Sequence, residues 1–258
     1  WLEFRRVLFR SGSFRLFADD TNIIYSGNNI DTLKHNAETD LVGLMDWFNI
    51  NKLALNLTKS NYIVISSKNK KIQSDFNIMA GNAKISRVTS IKYLGIYIDQ
   101  QLNWQEHINS ICKKISPIIG ILSKIRHLVT FPILRQLYYA LIHPHILYCI
   151  EAWGSAYQNH VKPLIILQKR AIRIITFSHP QSHTDQLFNF MKILPFYKLY
   201  FLTVCQLVFN ELNGASNVNF GFQHRCLTHN YNTRNKHLLS QLKHQTNYFC
   251  QSILHIGP

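Results

Sequence analysis

The chain has 258 residues, of which 47% are hydrophobic, 12% are aromatic and only 16% are charged. This composition excludes wholesale disorder, collagen and low-complexity scaffolds, because enough apolar side chains are present to bury a core. The 28 Lys and Arg residues outnumber the 13 Asp and Glu residues, which gives a formal net charge of +15 at pH 7. Nucleic acid is therefore the first class of partner to consider, and an anionic membrane surface is the second.

The excess positive charge lies in the second half of the chain. Residues 1–106 carry 13 basic and 10 acidic side chains, whereas residues 107–258 carry 15 basic and 3 acidic ones, together with 12 of the 13 histidines. A basic surface that binds nothing is the alternative interpretation.

Cysteine usage and hydropathy indicate the compartment. The five cysteines are widely spaced and odd in number, and no Cys-x-x-Cys pair occurs, which favours a reducing compartment over a secreted disulfide framework. We therefore expect an intracellular protein, nuclear or cytoplasmic. Because no run of about 18 uncharged apolar residues is present, we expect no membrane span and no membrane partner.

The first hundred residues predict a small sheet with one helix. Residues 1–13 are basic and aperiodic, and we expect them to be a non-native joining segment. Residues 14–24 alternate around a polar centre and predict strand, tight turn, strand. Apolar residues at helical spacing predict an amphipathic helix over 31–49. Further strands are predicted at 62–65, 76–79 and 91–98, completing one small antiparallel sheet.

After Asp99 the pattern becomes helical. The first predicted helix covers 108–122, and Pro117 is expected to kink or split it. Further helices are predicted over 131–152, 160–178 and 195–212, and residues 216–258 form a polar C-terminal segment rich in His and Asn. The predicted fold class is α+β, with a sheet-bearing part over 14–99 and a mainly α-helical part over 100–215.

The tetrapeptide Phe17-Ala18-Asp19-Asp20 carries the clearest chemical signal. Two adjacent carboxylates at a hairpin turn, flanked by apolar strands, offer the oxygen ligands that hard divalent cations prefer. Two such cations can stabilise the attacking and leaving oxygens of a phosphoryl displacement. A solvated turn in which Asp bonds its own backbone is the alternative.

Seven further segments follow this hairpin in a fixed order. They are Leu55-Asn56-Leu57-Thr58-Lys59-Ser60, Lys92-Tyr93-Leu94-Gly95-Ile96, Leu102-Asn103-Trp104 with His107-Ile108, Tyr148 to Gly154 with its Trp-Gly pair, Gln168-Lys169-Arg170-Ala171-Ile172-Arg173, Ile193-Leu194-Pro195 and Asn232-Thr233-Arg234. The combination resembles the reverse transcriptases of non-LTR (LINE-type) retrotransposons over residues 14 to 240, as a C-terminal fragment of such an enzyme.

The resemblance implies an RNA-directed DNA polymerase. Residues 14–99 would be a truncated polymerase palm, and the helices beyond it would be the thumb and the region that follows. Asp19 and Asp20 match the family's catalytic, metal-binding pair, which implies Mg²⁺ or Mn²⁺ as cofactor. The implied partners are an RNA template, a DNA primer and deoxynucleoside triphosphates.

Two further motifs acquire roles by the same resemblance. Lys59 matches a basic residue near the nucleotide phosphates, although an ordinary solvated lysine at a strand edge is the alternative. Tyr93, Leu94 and Gly95 match the hairpin that grips the primer terminus. A glycine lets the backbone approach a ligand closely, but a bulge would explain Gly95 equally well.

One predicted helix combines a cationic stripe with an apolar face. At 100° per residue, four cations fall on one side, namely Lys162, Lys169, Arg170 and Arg173, and four apolar residues fall roughly opposite, namely Leu164, Leu167, Ala171 and Ile174. Such a stripe could follow a nucleic-acid backbone through phosphate contacts. An ordinary solvated face is the alternative.

The match to the family is incomplete. A two-metal site needs another carboxylate and the fingers that hold the nucleotide, and nothing before Phe14 supplies either. We therefore expect the missing upstream part of the same polyprotein to be a partner, and this chain alone to be inactive. Two other hypotheses stay open. One is a non-catalytic nucleic-acid-binding protein derived from a retroelement, and the other is a structural or membrane-surface helical protein whose resemblance to the family is accidental.

Weaker signals favour structural roles. Cys226 with His229, and Cys250 with His255, have spacings that could suit zinc, but without a Cys-x₂-Cys start we expect structural cysteines and surface histidines. Trp104 and Trp153 are predicted to be core anchors rather than stacking platforms.

Overall fold

The computed structural model describes residues 12–17, 20–53, 55–56, 58–66, 77–81, 83–215, 220–222, 224–228, 234–236 and 238–240. The chain divides into two compact units, Trp1–Leu102 and Asn103–Pro258. Of the joining segment predicted for residues 1–13, residues 1–11 lie outside the described residues.

The first unit begins with a hairpin that packs on a helix. Strands β1 (Ser13–Phe17) and β2 (Asp20–Ile24) pair antiparallel, and helix α1 covers Ile30–Ile50. Phe14 of the hairpin and Leu44 of the helix form a small buried cluster, with Ile23 beside them. Both the predicted strand-turn-strand and the predicted helix are confirmed.

The other strands of this unit are short and occur in pairs. They are β3 (Asn61–Tyr62), β4 (Met79–Ala80), β5 (Ala83–Lys84), β6 (Ser86–Arg87), β7 (Ser90–Tyr93) and β8 (Ile96–Asp99). Strands β4 and β5 pair antiparallel, as do β7 and β8, whereas β3 and β6 pair parallel.

The described strands thus form separate two-stranded sheets rather than the one sheet predicted. The strand predicted over 62–65 ends at Tyr62, and of the strand predicted over 76–79 the described part has only Met79 in a ladder. An apolar run indicates partial burial, but ladder pairing depends on a partner strand that the run itself does not specify.

The second unit is helical. Its helices are α2 (Gln105–Ile125), α3 (Phe131–Leu141), α4 (His143–Leu147), α5 (Ile150–Trp153), α6 (Gln158–Ile175), α7 (Asp185–Met191), α8 (Phe196–Leu212) and α9 (Arg225–Thr228). With the strand pairs of the first unit, this arrangement confirms the predicted α+β fold class.

Proline had different consequences in two of these helices. Helix α2 is not split at Pro117; Pro117 and Lys113 are both exposed, so water can reach the carbonyl that proline leaves without a donor. The single helix predicted over 131–152 is wrong. It is divided beside Pro144 and again at Cys149, whose φ of 50° is left-handed and cannot continue a right-handed helix.

The core of the second unit lies where α2 packs on α6. The buried side chains of α2 recur every three or four residues, as a helix with one core face requires, and are Ile108, Ile111, Ile115, Ile119 and Leu122. Helices α3, α5 and α8 add Leu134, Trp153 and Val204 to the same cluster.

Among the described residues, no single helix is long and apolar enough to cross a membrane. Helices α7 and α8, bent by 54° at the break between them, meet the length and composition criteria only as a pair.

Candidate catalytic hairpin and nucleic-acid interface

Asp20 of the Asp pair lies at the turn end of the β1–β2 hairpin. Phe17 is paired directly with Asp20. Asp20 is exposed and is the first residue of β2. Asp19 lies outside the described residues. The sequence predicted the carboxylates at this end of the hairpin, and Asp20 is the one that the structure describes there.

Only part of the hairpin packs on α1. Phe14 is buried against that helix, whereas Leu16 and Ile24 are exposed and Phe17 at the tip is 61% exposed. In the described part of the chain, β1 and β2 pair only with each other. Two-stranded hairpins with exposed apolar residues are normally stabilised by further strands or a covering element.

Lys59 lies in a turn organised by Asn56. The Asn56 carbonyl accepts from the Lys59 and Ser60 amides at 3.2 and 3.0 Å, and its side-chain Oδ1 accepts from the Thr58 hydroxyl at 2.7 Å. The Lys59 side chain is exposed. Sequence reasoning missed the role of Asn56, although an Asn two residues before a Thr is a signal for such side-chain-stabilised turns.

The segment predicted to grip a primer is a tight hairpin turn. Tyr93 pairs with Ile96, and Leu94 and Gly95 between them have φ values of 44° and 87°. Positive φ at both central residues matches the right-handed twist of paired strands and favours glycine. The glycine therefore serves a turn rather than a bulge, and the primer role stays a prediction.

The described residues show part of a possible metal site. No group of three or more His, Cys, Asp or Glu side chains that could hold a metal occurs among them, and no ion pair joins Asp20 to Lys59 there. The exposed Asp20 carboxylate, next to Asp19 in sequence, offers oxygen ligands of the kind that Mg²⁺ or Mn²⁺ takes. The donor type fits, and a second metal would need another carboxylate.

The cationic stripe lies on the side of α6 that faces away from the core. Lys162 and Arg170 are exposed and Lys169 is partly so, whereas Leu164 and Ala171 are buried. Leu167 and Ile174 lie on the flanks and are only partly buried. In the part of the chain that the structure describes, no acidic side chain pairs with these lysines or with Arg170. Binding of nucleic acid by this face stays a prediction.

Arg173 differs from the other three cations of the stripe. Its Nε donates to the Ser182 carbonyl at 2.9 Å, and its own carbonyl accepts from the Ser178 amide at 3.0 Å. Both bonds hold the loop that follows α6. Arg173 is therefore a structural anchor, and Lys162, Lys169 and Arg170 are the cations available to a phosphate backbone.

Gln168, immediately before these cations, is a buried polar residue that sequence reasoning missed. Its Nε2 donates to Tyr138 Oη at 2.9 Å and to the Leu194 carbonyl at 3.1 Å. Its Oε1 accepts from the Phe196 amide at 3.0 Å. The available signal was its position on the core side of α6, between Leu164 and Ala171, where a polar side chain needs buried partners.

The Trp153-Gly154 pair is a packing motif. Trp153 is fully buried and its Nε1 donates to the Tyr148 carbonyl at 2.9 Å; its ring contacts those of His107 and Phe196, with centroids 5.3 and 5.7 Å away. A Cβ on Gly154 would clash with the Tyr200 ring. The predicted core role of Trp153 is confirmed.

The remaining predictions concern Trp104 and the zinc spacings. Trp104 is partly buried and packs against the core of the second unit, in agreement with the prediction. Cys226 is a free, exposed cysteine. His229, Cys250 and His255 lie outside the described residues.

Three curated relatives match the chain at low identity. A probable RNA-directed DNA polymerase from the transposon X-element of Drosophila melanogaster is 20% identical over 173 residues, 66% of this chain and 19% of that protein. One from the Drosophila transposon BS is 24% identical over 171 residues, 65% of the chain and 19% of the relative. The RNA-directed DNA polymerase from the Drosophila mobile element jockey is 20% identical over 163 residues, 62% of the chain and 18% of the relative.

These matches confirm the similarity to polymerases of non-LTR retrotransposons. The matched region spans about a fifth of the length of each curated relative. No protein-family model matches the sequence. No solved structure matches it either.

Proposed function

We propose that this chain is part of the RNA-directed DNA polymerase of a non-LTR retrotransposon. The observation that carries the proposal is the hairpin in which Phe17 pairs with the exposed Asp20, the residue that directly follows Asp19 in sequence. The similarity to three transposon polymerases supports it independently. The reaction would be attack of a DNA primer 3′-hydroxyl on an incoming deoxynucleoside triphosphate, directed by an RNA template.

Asp19 and Asp20 would hold Mg²⁺ or Mn²⁺ through their carboxylate oxygens. When bound, these ions activate the attacking hydroxyl and offset charge on the phosphoryl group and the leaving pyrophosphate. The hairpin would hold the two carboxylates in fixed positions, because charges that are already in place stabilise a transition state most effectively.

Two other turns of the first unit would position substrates. The exposed Lys59 ammonium, on a turn stabilised by Asn56, would offset the negative charge of the nucleotide phosphates. The Tyr93-Leu94-Gly95 turn would hold the primer terminus, since its backbone is fixed by the Tyr93–Ile96 pair. Lys162, Lys169 and Arg170 would contact the template–primer backbone from α6.

The 258-residue chain by itself would not polymerise. Among its described residues no further carboxylate joins Asp20 in a metal-binding group, and the open edges and exposed Phe17 of the hairpin call for additional strands. An upstream part of the same polyprotein would supply both. The proposed setting is intracellular, nuclear or cytoplasmic, where a retroelement polymerase meets its template.

Primer extension tests the proposal. A longer polypeptide translated from the same element is compared with the 258-residue chain on an RNA template with a DNA primer, with Mg²⁺ or Mn²⁺. We expect extension only by the longer polypeptide, and Asp20→Asn in it should lower the rate by at least about a hundredfold. Asp46→Asn, at an exposed position of α1, is the matched control and should retain the rate.

Two results would contradict the proposal. If the longer polypeptide still extends a primer when it carries both Asp19→Asn and Asp20→Asn, the hairpin carboxylates take no part in the reaction. Metal-dependent extension by the 258-residue chain, abolished in Asp19→Asn, would show that no upstream part is needed. If the longer polypeptide binds nucleic acid but never extends a primer, the non-catalytic binding function replaces this one.

A further inference from the structure

One face of α3, continued by the first residue of α4, carries three rings and one cation. Phe131, Arg135, Tyr139 and His143 recur at intervals of four residues, which brings successive side chains to the same side. The Arg135 guanidinium carbon lies 5.7 Å from the centroid of the Tyr139 ring. The Tyr139 and His143 rings lie 5.2 Å apart.

A groove of about 320 Å³ opens beside Tyr139 and His143 of this row. Tyr139 and His143 line one wall, and Leu199, Leu202 and Thr203 of α8 line the other. The volume lies within the roughly 300–1,000 Å³ typical of sites for small organic groups. The groove is therefore large enough for one flat ring beside Tyr139.

The Tyr139 ring is held in place although it is exposed. Its hydroxyl donates to the Lys192 carbonyl at 2.9 Å. Lys192 ends α7 with a left-handed φ of 54°, and its side chain is exposed at the rim of the groove. A fixed aromatic ring loses little entropy when another ring stacks on it.

The groove lining includes one charged side chain, and it is a cation. Its lining contains Lys192 and no Asp or Glu, and Arg135 lies against Tyr139. The Arg135 Nε is buried and has no hydrogen-bond partner among the residues that the structure describes. Burial lowers the pKa of His143 from its ordinary value, which favours the neutral ring. Aromatic rings beside unpaired cations suit a base with an adjacent phosphate.

We propose that this groove binds one base of a single-stranded polynucleotide, stacked on Tyr139, with the adjoining phosphate against Lys192 and Arg135. The lining Gln206 and Thr203 provide hydrogen-bonding groups at the edge of the base. The site shares no residue with the cationic stripe of α6. Its chemistry also differs, because it would recognise a ring as well as a charge. It concerns binding alone and stands whether or not the hairpin is catalytic.

The test compares two labelled probes of equal length and charge, an oligouridylate and the same backbone without bases. Fluorescence anisotropy with the whole 258-residue chain measures both affinities. We expect Tyr139→Ala to weaken binding of the oligouridylate at least about fivefold and to leave the abasic probe within about twofold. Tyr139→Phe keeps the ring but loses the bond to the Lys192 carbonyl, so it should weaken binding less than Tyr139→Ala does. Tyr157→Ala is the matched control, since Tyr139 and Tyr157 are 38% and 40% exposed.

A second variant fills the groove instead of removing the ring. Leu202→Trp should weaken oligouridylate binding, whereas Leu212→Trp on the same helix should not; the two leucines are 42% and 41% exposed, and only Leu202 lines the groove. Equal weakening for both probes, or unchanged affinity in either Tyr139→Ala or Leu202→Trp while both variants fold, would overturn the proposal. If Tyr139→Ala does not fold, the pair of leucine variants decides.

Discussion

Gln168 donates a hydrogen bond of 2.9 Å from Nε2 to Tyr138 Oη, and both residues are buried in the core of the helical unit. Burial raises the pKa of Tyr138 to about 12, so its hydroxyl stays neutral at every pH near 7. The bond joins α6 to α3, and the other Gln168 bonds reach the segment that begins α8. One amide thus fixes three parts of the fold beneath the cationic stripe.

Replacing Gln168 should destabilise the helical unit strongly. Gln168→Leu leaves the Phe196 amide without its acceptor and the Leu194 carbonyl without its donor, and buried groups left unpaired cost about 2–4 kcal/mol together. Urea unfolding followed by circular dichroism measures the decrease. Gln158→Leu, at the exposed start of α6, is the control and should stay within about 0.5 kcal/mol. Equal stabilities of the two variants would contradict the account.

Replacing two of the glycines by alanine should change the free energy of unfolding in opposite directions. Gly154→Ala puts a Cβ against the Tyr200 ring and 2.6 Å from the Ile150 carbonyl oxygen, and we expect it to cost about 2–3 kcal/mol of stability. Gly120 is in α2 with nothing within 4 Å of its Cβ position, so Gly120→Ala should gain about 0.5–1 kcal/mol. Thermal unfolding compares them; a stable Gly154→Ala protein would show that the Tyr200 ring can move away.

The turn at Gly95 should tolerate substituents in a fixed order. Its φ of 87° suits glycine, Asn adopts positive φ at small cost, and Ala and β-branched residues do so at greater cost. Stability in urea should therefore fall in the order glycine, Gly95→Asn, Gly95→Ala, Gly95→Val, with about 1–2 kcal/mol between glycine and alanine. An alanine variant as stable as the parent would mean that the turn changes conformation.

Stability should decrease in acid partly because of His107. Burial, reinforced by the charge of Lys114, lowers the pKa of His107 to about 4 from an ordinary 6.5. The unfolded chain then binds more protons between these values, so the stability linked to this group is complete above pH 6.5 and is lost as pH falls towards 4. His107→Phe should flatten the decline of unfolding free energy across that window. His143 and His145 have pKa values lowered by burial, so some decline should remain.

Removing cations from α6 should reduce the salt dependence of nucleic-acid binding. The triple variant combines Lys162→Gln, Lys169→Gln and Arg170→Gln. It should lower the slope of log affinity against log salt by roughly 0.7–0.9 for each phosphate that it no longer neutralises. The control removes three exposed lysines elsewhere in the unit, at Lys113, Lys124 and Lys198. Equal changes in both triple variants would mean that net charge, and not this face, determines binding.

Local pattern was sufficient for several features of the protein. The hairpin before α1, the α1, α6 and α8 helices and the side of α6 that carries Lys162 and Arg170 were predictable, because alternation and helical spacing reflect which side chains must be buried. The sequence by itself also determined the charge asymmetry and the order of motifs on which the resemblance rests.

Tertiary structure decided what depends on partners distant in sequence. The described strands form separate pairs, because the partner and the register of a strand depend on a second segment that its own sequence does not specify. Arg173 became an anchor because Ser182 presents its carbonyl there, and Gln168 was tolerated in the core because Tyr138, Leu194 and Phe196 converge on it. The sequence of one segment does not show this, since a buried polar group is stable only when all of its partners, from several segments, are in place.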